Sequence, residues 1–399
     1  MNQLRVFNTM TNRKEEFRPL RPRIVTMFVC GPTVQGPMHL GHARTYIFYD
    51  VVARLLKELG CEVDFLMNVT DIDERITSAA REEGTTPELL ASRYSTAFKE
   101  DLNSLGVRSV TKFEHVSRRV NEAIGQVKAL LRKGYAYESD GWVYFDTKMF
   151  PRFGRLSRQT REELALRPLE LSTKKRNLTD FSLWRPEELI EGKWQSPWGL
   201  GSPGWHIQDT AVTFSSFGPQ YDIHGGAYEL IYPHHEAEIA QGESISGVSP
   251  MVKYWVHTHL LTMEGEKMSK SKGNVVSVRD ALQKYSADEL RFYFLLTHYR
   301  QDMDLSGISE ARKRLQRLRK RIGDLGGIGG ARRNPEADGL LQDFWNAMKD
   351  DFDTPRAIQG LEQLAFEPKL SKNPRRKLAV LEAFGKAISI LGVGLNETN

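Results

Sequence analysis

The sequence predicts an α/β protein with a parallel central sheet, which is split by an insertion and followed by an α-helical C-terminal bundle. Residues 24 to about 110 alternate apolar, strand-like runs with helical stretches, a pattern that is typical of parallel strands joined by helices. Strand-like runs resume at 207–214, 221–224 and 254–261, and helical periodicity follows from 278 to 297. The two halves together predict a Rossmann-type sheet that is completed across the insertion.

The same patterns divide the chain into five expected segments. The first half of the sheet domain covers residues 1–111, a connective insertion 112–200, and the second half 201–275; a helical region follows at 276–325 and a short helical bundle at 326–399. The insertion contains a strand-like run at 142–145, and the bundle contains helical patterns at 340–350 and 377–391. The glycine-rich residues 326–331 predict a flexible linker between the last two segments.

Composition narrows the class of protein without identifying it. The chain has 399 residues, of which 40% are hydrophobic, enough for a sizeable core in two or three domains. A formal charge of +5 is compatible with an anionic partner but does not require one. No apolar run is long enough to span a membrane, and the polar start lacks a signal-peptide core, so we expect a cytoplasmic protein. With Cys30 and Cys61 as the only cysteines, no disulfide is expected.

A histidine turn, His39-Leu40-Gly41-His42, lies between the apolar run 24–29 and a helical stretch at 43–59. The N-terminus of a helix offers backbone N–H groups to phosphate. Gly41 allows a nucleotide to approach the backbone closely. His39 and His42 can donate hydrogen bonds to phosphate oxygens as charge develops there. The turn therefore indicates a site for attack on the α-phosphate of ATP.

A lysine loop, Lys267-Met268-Ser269-Lys270-Ser271, follows about 225 residues later. Lysine is a mobile point charge that suits a departing pyrophosphate, so Lys267 and Lys270 are candidates for binding it. A basic loop by itself is more often a solvated turn, and a lone histidine turn is weak support. In this order, the two motifs predict one ATP site built from distant parts of the chain.

Together with these motifs, several stretches make the sequence resemble the class I aminoacyl-tRNA synthetases, and the cysteinyl-tRNA synthetase family in particular. They are Phe28-Val-Cys-Gly-Pro-Thr-Val34, Asn68-Val-Thr-Asp-Ile-Asp73, Gly204-Trp-His-Ile207, Asp222-Ile-His-Gly-Gly226, Pro233-His-His-Glu236 and Asp350-Asp-Phe-Asp-Thr-Pro355. The resemblance implies activation of L-cysteine with Mg²⁺ and ATP, and transfer to the 3′ end of tRNA(Cys). It assigns His39, His42, Lys267 and Lys270 to catalysis and Gly41, Met268, Ser269 and Ser271 to ATP binding.

The resemblance also implies a zinc ion that selects cysteine. In the family, zinc is held by the residues that match Cys30, His234 and Glu238 and by a second cysteine, and it binds the substrate thiolate. His234 and Glu238 are four residues apart, so a helix places them on one face. This sequence has Asp209 at the second cysteine position. Cys30, Asp209, His234 and Glu238 are expected to hold one zinc; alternatively, Asp209 pairs with a substrate amine in a repurposed pocket.

Four further residues are assigned to the amino-acid pocket. Thr70 and Asp71 follow the apolar segment 63–69 and could reach the substrate amine from the end of a strand. By resemblance, Trp205 forms an apolar wall and His206 contacts the carboxylate or the adenylate; the alternative is a core tryptophan with its neighbour. Gln35-Gly36 replaces the family's usual tyrosine and aspartate, which alters the pocket wall.

The final segments leave the acceptor open. The helical stretch 309–325 has seven positive charges, which predict either a phosphate-contact surface or a solvated helix. The bundle appears short for an anticodon-reading domain. A compact cysteine–tRNA ligase is the preferred interpretation. The alternative is a tRNA-independent ligase that joins an activated amino acid to a small-molecule amine, resembling the mycothiol-pathway cysteine ligase. A non-catalytic RNA-binding paralogue is a third interpretation, disfavoured by the intact ATP motifs.

Overall fold

The computed structural model describes residues 4–167, 172–186, 194–268, 275–328, 335–368 and 374–395. Its strands are β1 Arg5–Asn8, β2 Arg13–Glu16, β3 Ile24–Val29, β4 Glu62–Val69, β5 Lys112–His115, β6 Ala136–Ser139, β7 Trp142–Phe145, β8 Phe181–Pro186, β9 Trp194–Ser196, β10 Gly199–Pro203, β11 Tyr221–Ala227, β12 Val252–Thr258, β13 Leu261–Met263, β14 Glu266–Lys267 and β15 Met303–Asp304. Its helices are α1 Leu40–Glu58, α2 Glu74–Glu82, α3 Pro87–Ser104, α4 Val120–Arg132, α5 Arg161–Ala165, α6 Trp205–Phe217, α7 Glu236–Ser246, α8 Val278–Leu282, α9 Ala287–Leu295, α10 Ile308–Asp324, α11 Pro335–Leu340, α12 Gln342–Lys349, α13 Thr354–Ala365 and α14 Pro374–Leu391.

A parallel sheet of order β12-β11-β3-β4-β5 forms the centre of the molecule. Strand β3 is buried along almost its whole length, which explains why it reads as a continuous apolar run and not as an alternating one. This confirms the predicted α/β class. The sheet contains strand β5, so its first half extends past residue 111. Cys30 follows the central strand β3 at the carboxyl edge, where open parallel sheets bind ligands.

The prediction of a strand at 207–214 was wrong, because this segment lies within helix α6. The helix is buried on all sides from His206 to Thr213 and carries no polar face that would reveal a helical period. It packs against α4 and α7 and against strand β8 of the insertion. A short apolar run of this kind cannot be assigned to helix or strand from its periodicity alone. As a consequence, Asp209 projects from a helix and not from a strand.

The insertion forms a separate antiparallel sheet of order β6-β7-β8-β10-β9, which includes the predicted strand Trp142–Phe145. Its residues Phe145, Phe181 and Trp184 share one apolar core with Phe28 and Leu66 of the central sheet. Helix α6 contributes Ile207, Ala211 and Val212 to the same core. This packing holds the N-terminus of α6 against the carboxyl edge of the central sheet.

The helical region after the lysine loop is more divided than its periodicity suggests. The stretch 278–297 contains two helices, α8 and α9, because Ser277 and Ser286 each cap a new N-terminus. The bundle was predicted to have two helices, but the structure also shows α11 and α13. Asp353 caps α13 and Pro355 occupies its first turn, so a start signal was present in the sequence. Residues 329–331 of the predicted linker at 326–331 lie outside the described residues.

Much of the charge on α10 is used to pack the bundle. Arg314 forms a bidentate pair with Glu362 of α13, and Arg321 donates to the Ala365 carbonyl. Arg319 pairs with Asp288 of α9 at 2.7 Å. Arg312 likewise pairs with Glu289 of α9 at 2.9 Å, so these four side chains are committed to intramolecular contacts, and a phosphate-contact role stays a prediction for the others. Within the part of the chain that the structure describes, no helix is long and apolar enough to cross a membrane.

Candidate active site

The histidine turn begins helix α1, with His39 as its N-cap residue. The His39 Nδ1 atom accepts hydrogen bonds from the backbone N–H groups of Gly41 at 3.1 Å and His42 at 3.4 Å. Two of the N–H groups that were expected to bind phosphate are thus taken by a side chain. Because Nδ1 accepts, the neutral ring carries its proton on Nε2, which remains a donor. The ring also stacks on His42, with 3.8 Å between centroids.

Gly41 makes this stacking sterically feasible. A Cβ atom at this position would lie 3.0 Å from the His39 ring and 3.7 Å from the Met268 methyl group. The histidine pair and Met268 therefore pack directly against the helix backbone, which only glycine leaves free enough.

The base of the lysine loop lies against the histidine turn, as the sequence predicted for one shared site. The backbone N–H of Leu40 donates to the Val276 carbonyl at 3.0 Å, and that of Val278 donates to the Met38 carbonyl at 2.9 Å. Ser269, Lys270 and Ser271 lie outside the described residues, and of Lys267 only the backbone in β14 is described. The residues that flank the loop, Met268 and Val275, line the same pocket as His39 and His42.

Arg44 of α1 links the helix that begins at the histidine turn to the segments on either side of the lysine loop. Its guanidinium donates to the backbone carbonyls of His259, Leu260, His298 and Gln301. Burial lowers the pKa of Arg44 to about 10, but the group stays charged at neutral pH. The strand ends that lead to the lysine loop are thereby tied to the helix that begins at the histidine turn.

One pocket of about 330 Å³ joins the histidine turn to the predicted metal ligands. Its lining includes Cys30, Gln35, Gly36, His39, His42, Asn68, Arg75, Trp205, Asp209, Glu229, His234 and Met268. Gln35 and Gly36 form part of the wall, where the sequence differs from the resembled family. The histidine turn and three of the four candidate metal ligands therefore line one cavity at the carboxyl edge of the sheet.

The four predicted metal ligands converge in the structure, with candidate ligand atoms of Cys30, Asp209, His234 and Glu238 all within 4.8 Å of one another. All four side chains are buried. Cys30 follows β3, Asp209 lies on α6, and Glu238 lies on α7 one turn after His234. The His234 Nε2 atom is 3.0 Å from an oxygen of Asp209 and 3.0 Å from an oxygen of Glu238.

This arrangement fits a bound cation. One imidazole nitrogen carries at most one proton, so it cannot satisfy two carboxylates at once. Among the described residues, neither oxygen of Glu238 accepts a well-aligned hydrogen bond. Burial raises the pKa of Glu238 well above its usual range, and the Asp209 carboxylate adds to this shift. Burial likewise raises the pKa of the Cys30 thiol, with Glu238 and Asp209 contributing. A metal ion between these groups would remove the cost of burying them uncompensated.

A second group of donors overlaps the first. The Cys30 sulfur lies 3.4 Å from His224 Nε2 and 3.2 Å from His235 Nε2, and these three residues with Glu238 could also surround an ion. Neither His224 nor His235 lines the pocket. The second group of donors therefore lies deeper in the protein than the group that contains Asp209 and His234, which do line the pocket. Sequence reasoning did not nominate these two histidines, although the His234-His235 doublet was a visible signal.

The assigned amino-acid pocket is only partly assembled as expected. Trp205 lines the pocket and stacks on His234, with 4.1 Å between ring centroids. His206 instead supports His234 from behind, with 2.8 Å between their Nδ1 atoms. Thr70 is buried and accepts a hydrogen bond from Asn68. Arg75, which sequence reasoning missed, reaches the pocket and lies over the Trp205 ring at 5.5 Å.

Asp71, like Thr70 and His206, is not among the residues that line this pocket, so its assigned contact with the substrate amine stays a prediction. Its carboxylate accepts from Ser117 Oγ at 2.7 Å, lies 3.1 Å from His115 Nδ1, and faces a separate groove. Side chains alternate between the faces of an extended chain, so Asp71 points away from the side that Asn68 and Thr70 occupy. The period of two could have predicted this difference.

A parallel sheet with a histidine turn at its carboxyl edge, and with the residues that flank the lysine loop in the same pocket, is typical of the class I aminoacyl-tRNA synthetases. Solved structures support the fold. The chain is similar to Mycobacterium tuberculosis methionyl-tRNA synthetase in complex with methionyl-adenylate, with a TM-score of 0.64 at 15% identity over 92% of this chain and 89% of that one. It is also similar to a putative arginyl-tRNA synthetase from Campylobacter jejuni, with a TM-score of 0.61 at 14% identity over 94% and 93%.

The family follows from closer relatives. The chain belongs to the family described as tRNA synthetases class I (C) catalytic domain, which matches residues 16–313. Curated relatives include a cysteine–tRNA ligase from Thermoplasma acidophilum, 40% identical over 99% of this chain and 89% of the relative. Another, from Thermococcus onnurineus, is 42% identical over 95% of this chain and 83% of the relative. These names favour neither the small-molecule amine ligase nor the non-catalytic paralogue.

Proposed function

We propose that this protein is a cysteine–tRNA ligase, which activates L-cysteine with ATP and transfers it to the 3′ end of tRNA(Cys). The observation that carries this proposal is the single pocket that contains the histidine turn, the edge of the lysine loop and the buried donor group of Cys30, Asp209 and His234. Together, the nucleotide-binding motifs and thiol-selecting donors account for both substrates of the activation step.

The histidine turn and the lysine loop are proposed to hold ATP. His39 donates from Nε2, beside the stacked His42, to oxygens of the α-phosphate. Lys267 and Lys270 neutralise the departing pyrophosphate together with Mg²⁺, while Gly41, Met268, Ser269 and Ser271 surround the nucleotide. Orientation of the cysteine carboxylate towards the α-phosphate and stabilisation of the developing charge supply the rate, without a covalent protein intermediate.

Cys30, Asp209, His234 and Glu238 are proposed to hold zinc. When bound there, zinc would supply a thiophilic position for the cysteine sulfur, a contact that the harder hydroxyl of serine makes less well. Trp205, stacked on His234, closes the apolar side of the same space. Thr70 is bonded to Asn68, which lines this space, and Thr70 and Asp71 remain the proposed contacts for the substrate amine.

The outer segments are proposed to serve tRNA. The insertion at 112–200 covers the active site, the region 276–325 contacts the acceptor stem, and the bundle at 326–399 packs behind it. The two catalytic halves, 1–111 and 201–275, carry the ATP and cysteine sites. We place the protein in the cytoplasm, because ATP, cysteine and tRNA occur together in that compartment.

The function is tested by measuring cysteine-dependent ATP–pyrophosphate exchange and acylation of total tRNA in the same preparation. We expect exchange that depends on cysteine, and charging of tRNA(Cys). Exchange without charging would contradict the tRNA acceptor and redirect the search to small amines. Absence of exchange with every amino acid would contradict an activating enzyme altogether.

The metal assignment predicts that Cys30→Ala loses zinc and loses the preference for cysteine over serine. Removal of a direct ligand should lower zinc affinity by more than the roughly 10- to 100-fold that outer contacts contribute. Zinc content by mass spectrometry and exchange with each amino acid measure the two effects. Cys61→Ala is the matched control, because Cys61 is buried outside the site and should keep both properties. Parent protein that carries no zinc and accepts serine equally would disprove the assignment.

A further inference from the structure

Asn68 is a buried polar residue at the carboxyl end of β4, beside the donor group of the pocket. Its side-chain nitrogen donates to Asp209 Oδ1 at 2.8 Å and to Thr70 Oγ1 at 3.2 Å. Its side-chain oxygen accepts from the backbone N–H of Gly31 at 2.6 Å. The side chain therefore connects the residue after Cys30 with the aspartate of α6.

The orientation of the Asn68 amide is determined by these partners. A backbone N–H can only donate, so the amide oxygen must face Gly31 and the NH₂ group must face Asp209. The chains also approach closely here, since a Cβ atom on Gly31 would lie 1.8 Å from the Asn68 carbonyl oxygen. Asn68 thus has one arrangement in which all of its polar atoms are satisfied.

The hydrogen bond from Asn68 gives the two oxygens of Asp209 different partners. Oδ1 accepts from Asn68, whereas Oδ2 lies 3.0 Å from His234 Nε2, within the donor group. A carboxylate can bind a metal through one oxygen or through both. A thiolate offers a single atom and needs no such control. The difference between the two carboxylate oxygens therefore matters because this chain has aspartate, and not cysteine, at position 209.

We propose that Asn68 is a positioning residue that commits Asp209 to coordinate through Oδ2 alone. This inference rests on the proposed function, since it concerns the metal assigned there. With Oδ1 held by Asn68, the four side chains supply four donor atoms and leave the pocket side of the site for the cysteine sulfur. Asn68 and Asp209 then act as a pair that takes the place of a second cysteine.

The test is a double-mutant cycle on the full chain, comparing the parent, Asn68→Ala, Asp209→Cys and the combined variant. Zinc affinity is measured by competition with a chromophoric chelator. In the parent background, Asn68→Ala should lower zinc affinity by about 10- to 100-fold, the usual cost of losing an outer-shell hydrogen bond. In the Asp209→Cys background, the same change should have less than about a threefold effect, because no carboxylate oxygen remains to be held.

Cobalt substitution gives a second readout that is independent of activity. The parent should show the intense visible absorption of a four-coordinate site, and Asn68→Ala should weaken it as Asp209 binds through both oxygens. Asn68→Asp covers the case in which alanine does not fold, because it keeps the shape and the acceptor for Gly31 and removes the donor to Asp209, while adding one negative charge. Because that charge itself attracts a cation, cobalt absorption is the readout for this variant, and it should weaken as in Asn68→Ala.

An equal loss of zinc affinity in both backgrounds would overturn the inference, since it would show that Asn68 acts only through Gly31 and the backbone. Undiminished cobalt absorption in Asn68→Asp would overturn it as well. If the parent binds zinc and activates cysteine while the cycle shows no coupling, this inference fails alone. If the parent binds no zinc, the metal assignment of the proposed function fails with it.

Discussion

Replacing Lys270 with alanine is expected to reduce cysteine-dependent ATP–pyrophosphate exchange by about two to three orders of magnitude, the scale seen when one preorganised group that stabilises transition-state charge is removed. The lysine charge is assigned to the leaving pyrophosphate, so its loss should act on the chemical step. Zinc content should be unchanged, because the proposed metal ligands lie just after β3, on α6 and α7, and in the turn before α7. Exchange kinetics and metal analysis on the same sample measure both properties.

Lys284→Ala is the matched control for this prediction. Lys284 is exposed between α8 and α9, and its replacement by alanine changes the net charge by one, as Lys270→Ala does. Its exchange rate should equal that of the parent. If Lys270→Ala exchanges as fast as the parent, the role assigned to Lys270 is wrong. A parallel loss of zinc would instead show that the substitution disturbs the pocket as a whole.

Replacing Arg291 with methionine is expected to lower the free energy of unfolding by about 3 to 5 kcal/mol, because it breaks a buried ion pair from one side. Arg291 of α9 donates to Asp50 of α1 at 2.7 Å and to the carbonyls of Leu105 and Leu391. Both charged side chains are at most 1% exposed. Arg291 thus connects α1 to the last helix of the bundle, α14.

The charges around Asp50 show why the pair matters. Burial by itself would raise the pKa of Asp50, but Arg291, Arg54 and the Ser109 hydroxyl outweigh burial and lower it. Without Arg291, the carboxylate keeps Arg54 as its only cationic contact among the described residues. The buried Asp50 carboxylate then lacks part of its compensating positive charge, and this lowers the free energy of unfolding.

Urea unfolding followed by circular dichroism measures this effect. Arg93→Met is the matched control, because Arg93 pairs with Glu83 on the surface, where an ion pair contributes roughly 0 to 1 kcal/mol. Replacing Asp50 and Arg291 together with apolar residues should recover part of the lost stability. A change of less than about 1 kcal/mol in Arg291→Met would contradict the role assigned to the pair.

The helix start at the histidine turn and the convergence of the four candidate metal ligands could be predicted from sequence because their signals are chemical and local. His39 and His42 stand at a strand-to-helix turn, and His234 and Glu238 share a helical face whatever packs around them. The departure at Asp209 was equally visible, since it is a single residue in a recognisable stretch. These residue types require no tertiary contact to indicate their chemistry.

The strand prediction at 207–214 was wrong, and the groove that Asp71 faces was not predicted, because both features depend on their surroundings. A helix buried on all sides has no polar face, so its apolar run resembled a strand until the insertion and α4 were seen to cover it. Asp71 is polar and adjacent to Thr70, but the pleat turns it towards His115 and Ser117.

By itself, the sequence determined the fold class, the two ATP motifs and the donor set with its aspartate, because residue types and short spacings carry that information. Only the tertiary structure decided how those groups are used. It showed that His39 caps its own helix, that Arg319 and Arg321 serve packing, and that Asn68 holds one oxygen of Asp209. Such assignments follow from which partners burial brings together across long stretches of chain, and spacing along the chain does not specify these contacts.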